Sequence, residues 1–210
     1  MDMPVRLLGR DTSINVRKVL WTLHELGVGF IREDYGNGFA STHTHDYLRL
    51  NPNGQVPVLV DEAGALWESN TICRYLAAKH GDQGLLPGNA HARAQVEQWM
   101  DWQATELNPA WRYPFTALIR QDPTCQDAAK LAAGTAEWNR MMGILEGQLA
   151  HTGAYVTGAA FTLADVVLGL SVNRWKMTPI EHARLPAVEA YYQRLQGREG
   201  FALYGANGMP

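Results

Sequence analysis

The chain has 210 residues, 46% of them hydrophobic, and a formal net charge of −3 at neutral pH. That length is enough to bury a real core, as one large domain or two small ones. The negative balance excludes nucleic acid or an anionic membrane as the main partner, because both need a basic surface.

The chain shows no apolar run of the roughly 18 residues that a transmembrane helix needs. Its start, Met1-Asp2-Met3-Pro4, lacks the charged and apolar regions of a signal peptide. Cys73 and Cys125 stand far apart and form no disulfide framework. A cytoplasmic enzyme with incidental thiols is the expectation.

In chain order, Val5 to Leu8 reads as a short strand ended by Gly9. A helix follows with Val16, Val19, Leu20 and Leu23 on one face, stopped near Gly27. Val28 to Tyr35 reads as a second strand, and a polar stretch and a helical turn at Tyr47-Leu48 come after it. Pro57 to Asp61 is the third strand, Glu62-Ala63-Gly64 a tight turn, and Ala65 to Trp67 its hairpin partner. Ser69 is the expected N-cap of a helix carrying Ile72, Tyr75 and Leu76, with Gly81 after it. The order βαβ then ββα makes residues 1–81 an α/β unit.

Residues 82–89, with two glycines and a proline, read as a linker, and residues 90–210 look all-helical. Val96, Trp99, Met100 and Leu107 mark one long helix, and Trp138, Met141, Met142, Leu145 and Leu149 mark another. Phe161-Thr162-Leu163-Ala164-Asp165 opens a third helix, with Thr162 as N-cap and Asp165 closing an acidic capping box. Breaking that box is expected to cost about 1 kcal/mol and leave any chemistry intact. Pro186 opens a fourth, facing inward with Val188, Tyr191, Tyr192 and Leu195.

Three stretches are candidates for chemistry. Asn51-Pro52-Asn53-Gly54-Gln55-Val56-Pro57 is a turn running into a strand. Pro57 cannot donate to a ladder, so it reads either as the start of an edge strand or as a loop offering the Val56 backbone to a peptide-like ligand. Thr12-Ser13-Ile14-Asn15-Val16-Arg17 lies where a strand hands over to a helix. Its hydroxyl and amide side chains are either plain N-caps or donors to an anion held at the helix start. Glu68-Ser69, at the next helix start, either caps it or holds an amine and a carboxylate. No metal site is expected, because His43 and His45 have no supporting cysteine or carboxylate cluster.

Ser13 with Arg17 four residues on, the Asn51-to-Pro57 motif, Glu68-Ser69 and Phe161-Thr162-Leu163-Ala164-Asp165, in that order and spacing, resemble a cytosolic glutathione transferase of the bacterial theta-like or phi-like, serine-using kind. The resemblance covers essentially the whole chain. It implies a thioredoxin-like first domain, an all-helical second domain that contributes the electrophile site, and a cytoplasmic homodimer with a detoxifying role. Glutathione would be the co-substrate, and no metal would take part.

The resemblance also implies a cis Val56-Pro57 bond, with Val56 pairing to the cysteinyl backbone of glutathione. Glu68 and Ser69 would take the γ-glutamyl end, Gln55 would assist, and His43 would meet the glycyl carboxylate. Ser13 would donate to the thiolate, with Asn15 as a second donor or a plain cap.

A free thiol near pKa 8.5 is a few per cent thiolate at neutral pH. Lowering it by about two units takes roughly 2.7 kcal/mol. The thiolate would then attack a small hydrophobic electrophile. Trp111 and Phe115 would form the apolar wall of the electrophile pocket and Arg112 would polarise the substrate; the other reading of that stretch is a Pro-kinked helix with a surface arginine. The alternative function is a glutathione-binding module with little turnover. No cysteine stands at the helix start, which argues against disulfide-reductase chemistry.

Overall fold

The computed structural model describes residues 4–81 and 83–210. The expected leaderless start at Met1 to Met3, and Asp82, the first residue of the expected linker, lie outside the described residues. The chain divides into two compact units, Met1–Leu86 and Pro87–Pro210.

The first unit is thioredoxin-like. Strand β1 (Val5–Leu8) is followed by α1 (Ile14–Glu25), β2 (Phe30–Glu33), α2 (His45–Leu50), β3 (Val58–Asp61), β4 (Gly64–Trp67) and α3 (Ser69–Lys79). The sheet order is β2-β1-β3-β4. β1 runs parallel to β2, Val5 opposite Phe30, and antiparallel to β3, Leu8 opposite Val58; β3 and β4 form the hairpin. The second strand is therefore shorter than the expected Val28 to Tyr35.

β3 is interior, between β1 and β4, so the edge-strand reading of Pro57 does not hold. Pro57 is tolerated because it stands one residue before the ladder begins. Val16, Val19, Leu20 and Leu23 of α1 are buried with Ile72 and Leu76 of α3, and the two helices pack together. Leu7, Leu8, Val58 and Leu59 supply the buried sheet residues. Each such side chain contributes about 1.5–3 kcal/mol on burial.

The second unit is helical: α4 (Ala90–Trp102), α5 (Asn108–Leu118), α6 (Ala128–Thr152), α7 (Leu163–Met177), α8 (Pro186–Gln196) and α9 (Glu199–Tyr204). Between α4 and α5 the expected long helix widens into a π turn over Gln103–Leu107, in which the Asn108 N–H reaches back five residues to the Gln103 carbonyl. α7 is buried along its whole length from Leu163 to Trp175, so it is the central helix of this unit.

Its start is built as a capping box. Asp165 Oδ2 accepts the Thr162 N–H at 2.8 Å and the Thr162 hydroxyl at 3.1 Å, while Oδ1 accepts the Val156 N–H at 2.9 Å. Among the described residues no helix is long and apolar enough to cross a membrane.

Candidate functional site

Two of the site candidates of the first unit, the α1 start and the Val56 loop, meet at the end of β1. Gly9 has a φ of +150°, and a Cβ there would lie 2.6 Å from Val16 Cγ2 and 3.1 Å from Val56 Cβ. Only a residue without a side chain lets the first turn of α1 and the Val56 loop close on the strand at this point.

Ser13 occupies the N-cap of α1 with extended backbone (φ −83°, ψ 122°), and its carbonyl accepts the Arg17 N–H at 2.9 Å. Its side chain makes no capping hydrogen bond. A serine chosen for capping would turn its oxygen back to the first-turn N–H groups; this one does not. Asn15 is the second residue of the helix and half-buried, so it is not at the cap position at all. Arg17, one turn on, is fully buried, and burial pulls its guanidinium down to about 10 against the opposing effect of Asp11.

The Val56 loop is held from α2. The Gln55 carbonyl accepts the Tyr47 hydroxyl at 2.8 Å and the Asn51 side-chain N–H at 2.8 Å. Asn51 Oδ1 in turn accepts the Asn53 N–H and the Asn53 side-chain amide, each at 3.0 Å. Gly54 turns the chain with a φ of +61°, and a Cβ there would lie 2.8 Å from the His43 ring, so His43 rests directly over this loop. The Val56-Pro57 bond is cis. Val56 itself precedes the β3 ladder, which starts at Val58. The Gln55 side chain is exposed.

Glu68 follows the end of β4 with a φ of +72° and a ψ of 108°, a conformation costly for any residue with a Cβ. It is Glu68, not Ser69, that stands at the N-cap of α3; Ser69 is the first helical residue and is buried. The Glu68 carbonyl starts the helix by accepting the Ile72 N–H at 2.9 Å, and its exposed side chain makes no capping bond. Next to Ser69, Asn70 Oδ1 accepts the buried Lys18 ammonium at 3.1 Å, which ties the first turn of α3 to α1.

Among the helical-unit candidates, Trp111 and Phe115 pack edge-to-face at 5.4 Å on α5. Phe115 is buried, Trp111 is partly so, and Arg112 is exposed. The cation that meets both rings is Arg174 of α7, whose guanidinium lies 4.4 Å from the Trp111 ring centre and 4.2 Å from that of Phe115. Arg174 was not readable from sequence, because the arginine closest in the chain to these rings is Arg112. Asn108 Oδ1 accepts both the Trp111 indole N–H and the Gln103 side-chain N–H, each at 2.8 Å.

Cys73 is buried in α3, and burial pushes its thiol up to about 11. Among the described residues no group of three or more His, Cys, Asp and Glu side chains could hold a metal ion.

In one unit, then, the structure holds a helix start with an uncommitted hydroxyl, a backbone loop outside the ladder and a strained acidic helix cap. Known proteins resemble the chain over nearly its whole length. Family models for the glutathione S-transferase N-terminal and C-terminal domains match residues 12–79 and 128–194. Glutathione S-transferase GstB of Escherichia coli K12 is 34% identical over 196 residues, covering 92% of this chain and 94% of its own. Glutathione S-transferase 3 of Zea mays is 32% identical over 209 residues, covering 94% and 91%. Among solved structures, the theta class glutathione S-transferase of Xanthomonas axonopodis pv. citri with glutathione bound superposes with a TM-score of 0.90. It is 36% identical, over 97% of this chain and 98% of that one.

Proposed function

The chain belongs to the glutathione S-transferase family, and on that premise we propose that it activates the glutathione thiol at Ser13 for attack on small hydrophobic electrophiles. The observation that carries this reading is the Ser13 hydroxyl, which sits at a helix N-cap without capping it. A hydroxyl in that position is available to donate to a sulfur anion, and the partial positive charge of the helix start favours the same anion.

Glutathione lies extended along the first unit in this reading. The Val56 main chain pairs with the cysteinyl backbone as a one-residue strand, beside Pro57. The exposed Glu68 carboxylate pairs with the γ-glutamyl ammonium, and Ser69 donates to the neighbouring carboxylate. Gln55 assists there, and His43, which rests over Gly54, takes the glycyl end. Asn15, half-buried inside the first turn of α1, is the second donor to the sulfur. In the helical unit, Trp111, Arg112 and Phe115 bind the electrophile.

The thiolate sulfur forms a bond to the electrophilic carbon. Either a leaving group departs with its electron pair, or in conjugate addition the displaced pair takes a proton from water; no covalent intermediate forms on the protein. The reading extends to a homodimer working in the cytoplasm.

The test is an ultraviolet titration of glutathione in the presence of the protein. A bound thiol lowered by about two units shows its thiolate band with a midpoint near pH 6.5. If the band appears only as in free glutathione, the enzyme reading is wrong and a binding module with little turnover takes its place.

A further inference from the structure

We infer that Tyr47 and Asn51 are positioning residues that aim the Val56 N–H at glutathione by clamping the carbonyl on the other side of the same peptide plane. The inference rests on the proposed docking of glutathione along Val56 and adds the two side chains that set its direction.

In a trans peptide the C=O and N–H point in opposite directions. The Gln55–Val56 bond is trans, since Val56-Pro57 alone is cis among the described residues. Its carbonyl is directed at α2, where the Tyr47 hydroxyl and the Asn51 amide each donate at 2.8 Å. The Val56 N–H must therefore face away from α2. Two donors converging on one oxygen fix the plane more tightly than either alone, since it cannot rotate about the chain without losing at least one of them. They also polarise the peptide, which strengthens the N–H as a donor.

Both donors are rigid. Tyr47 is 2% exposed and Asn51 is 3% exposed. The Tyr47 ring packs in one cluster with Leu8 and Val58 and meets the Tyr35 ring at 4.9 Å. Burial pushes its hydroxyl up to about 12, which keeps the donor proton in place. The amide orientation of Asn51 is equally determined, because its oxygen faces two N–H donors from Asn53 and only its nitrogen can face the Gln55 carbonyl. A tyrosine buried for packing alone has no need of a hydroxyl that shares one acceptor with an asparagine four residues further on, at the end of α2.

Tyr47→Phe keeps the ring and removes one donor. Steady-state kinetics should show KM for glutathione raised about 3- to 10-fold, the effect of one lost hydrogen bond, with kcat and KM for the electrophile little changed. The pH midpoint of the bound thiolate should stay where wild type has it, because Ser13 is untouched. Leu50→Ala is the control: Leu50 packs against the same cluster and its side chain carries no donor, so the substitution lowers thermal stability without raising KM for glutathione.

An unchanged KM in Tyr47→Phe overturns the inference and leaves the proposed function standing. So does an equal rise in Leu50→Ala, which would make the effect one of general loosening. Wild-type protein that neither binds nor turns over glutathione overturns both readings.

Discussion

The Glu146 carboxylate on α6 accepts the Val188 N–H at 2.8 Å and the Ala187 N–H at 3.0 Å, so the first turn of α8 is capped from a different helix. Leu185, at the N-cap position itself, has no side chain able to do this. Glu146→Ala should cost about 1–2 kcal/mol, the loss of a good cap and of its charge at the helix start. Thermal denaturation would register it as a fall of about 2–4 °C per kcal/mol, with specific activity of the folded protein retained.

Asp165 is a larger stake than a surface capping box. Its carboxylate also holds the Val156 N–H, and it is completely buried. Asp165→Ala leaves the Val156 and Thr162 N–H groups without partners in the interior, at about 2–4 kcal/mol, well above the roughly 1 kcal/mol of a cap alone. Urea denaturation would measure the difference.

The same residue sets a pH dependence. Burial pushes the Asp165 carboxyl up from 3.8 to about 6, against the lowering effect of its hydrogen bonds from Val156 and Thr162. The native state keeps the proton where the unfolded chain has lost it. This contribution to stability is therefore whole below 3.8 and is lost as pH rises through about 6. Asp165→Asn does not titrate, and its stability between those values should lack the decline seen in wild type.

Ser13→Ala separates chemistry from architecture. With no capping bond to lose, stability should change by no more than about 0.5 kcal/mol. Turnover at neutral pH should fall about 10- to 100-fold, as a hydrogen bond to a charged group is removed, and KM for glutathione should move far less. Equal losses in turnover and affinity, or a marked drop in melting temperature, would return Ser13 to the role of a cap.

At Glu68, function and stability pull apart. Glycine adopts a φ of +72° without strain, so Glu68→Gly should stabilise the protein by about 1 kcal/mol. It should also weaken glutathione binding about 10-fold or more, through loss of the carboxylate. Glu68→Gln keeps the strain and loses only the charge. Calorimetric binding and melting curves on the two variants should show the same loss of affinity in both, with the gain in stability confined to glycine.

What could be read in advance was what depends on neighbours in the chain. The Thr162–Asp165 box spans four residues, the hairpin turn at Glu62 to Gly64 is local, and the α1 stripe has a helical period, so all three were legible. The Glu146 cap was not, because its partner lies 42 residues away. The cation stacked on Trp111 and Phe115 was hidden for the same reason: Arg174 lies far along the chain, and packing of α7 brings it to the rings. Residue type also misled at Ser69. Serine is the better cap, yet the chain turns into α3 at Glu68 with a left-handed φ that composition does not announce. The proximity of His43 to Gly54 depends on a glycine whose missing Cβ makes the room.

The π turn between α4 and α5 has one consequence for how the helical unit can vary. Those five residues hold one more than an α-turn would, and the surplus keeps the downstream helix in phase with the upstream one. If they tightened into ordinary α-turns with no change in sequence, everything from Asn108 onward would rotate by about 100°, and Trp111 and Phe115 would swing off Arg174. Deleting a single residue there, by contrast, would leave the aim of α5 as it is. The direction in which those aromatics face is set by a count, and a lineage could shed the supernumerary residue without re-aiming the wall it carries.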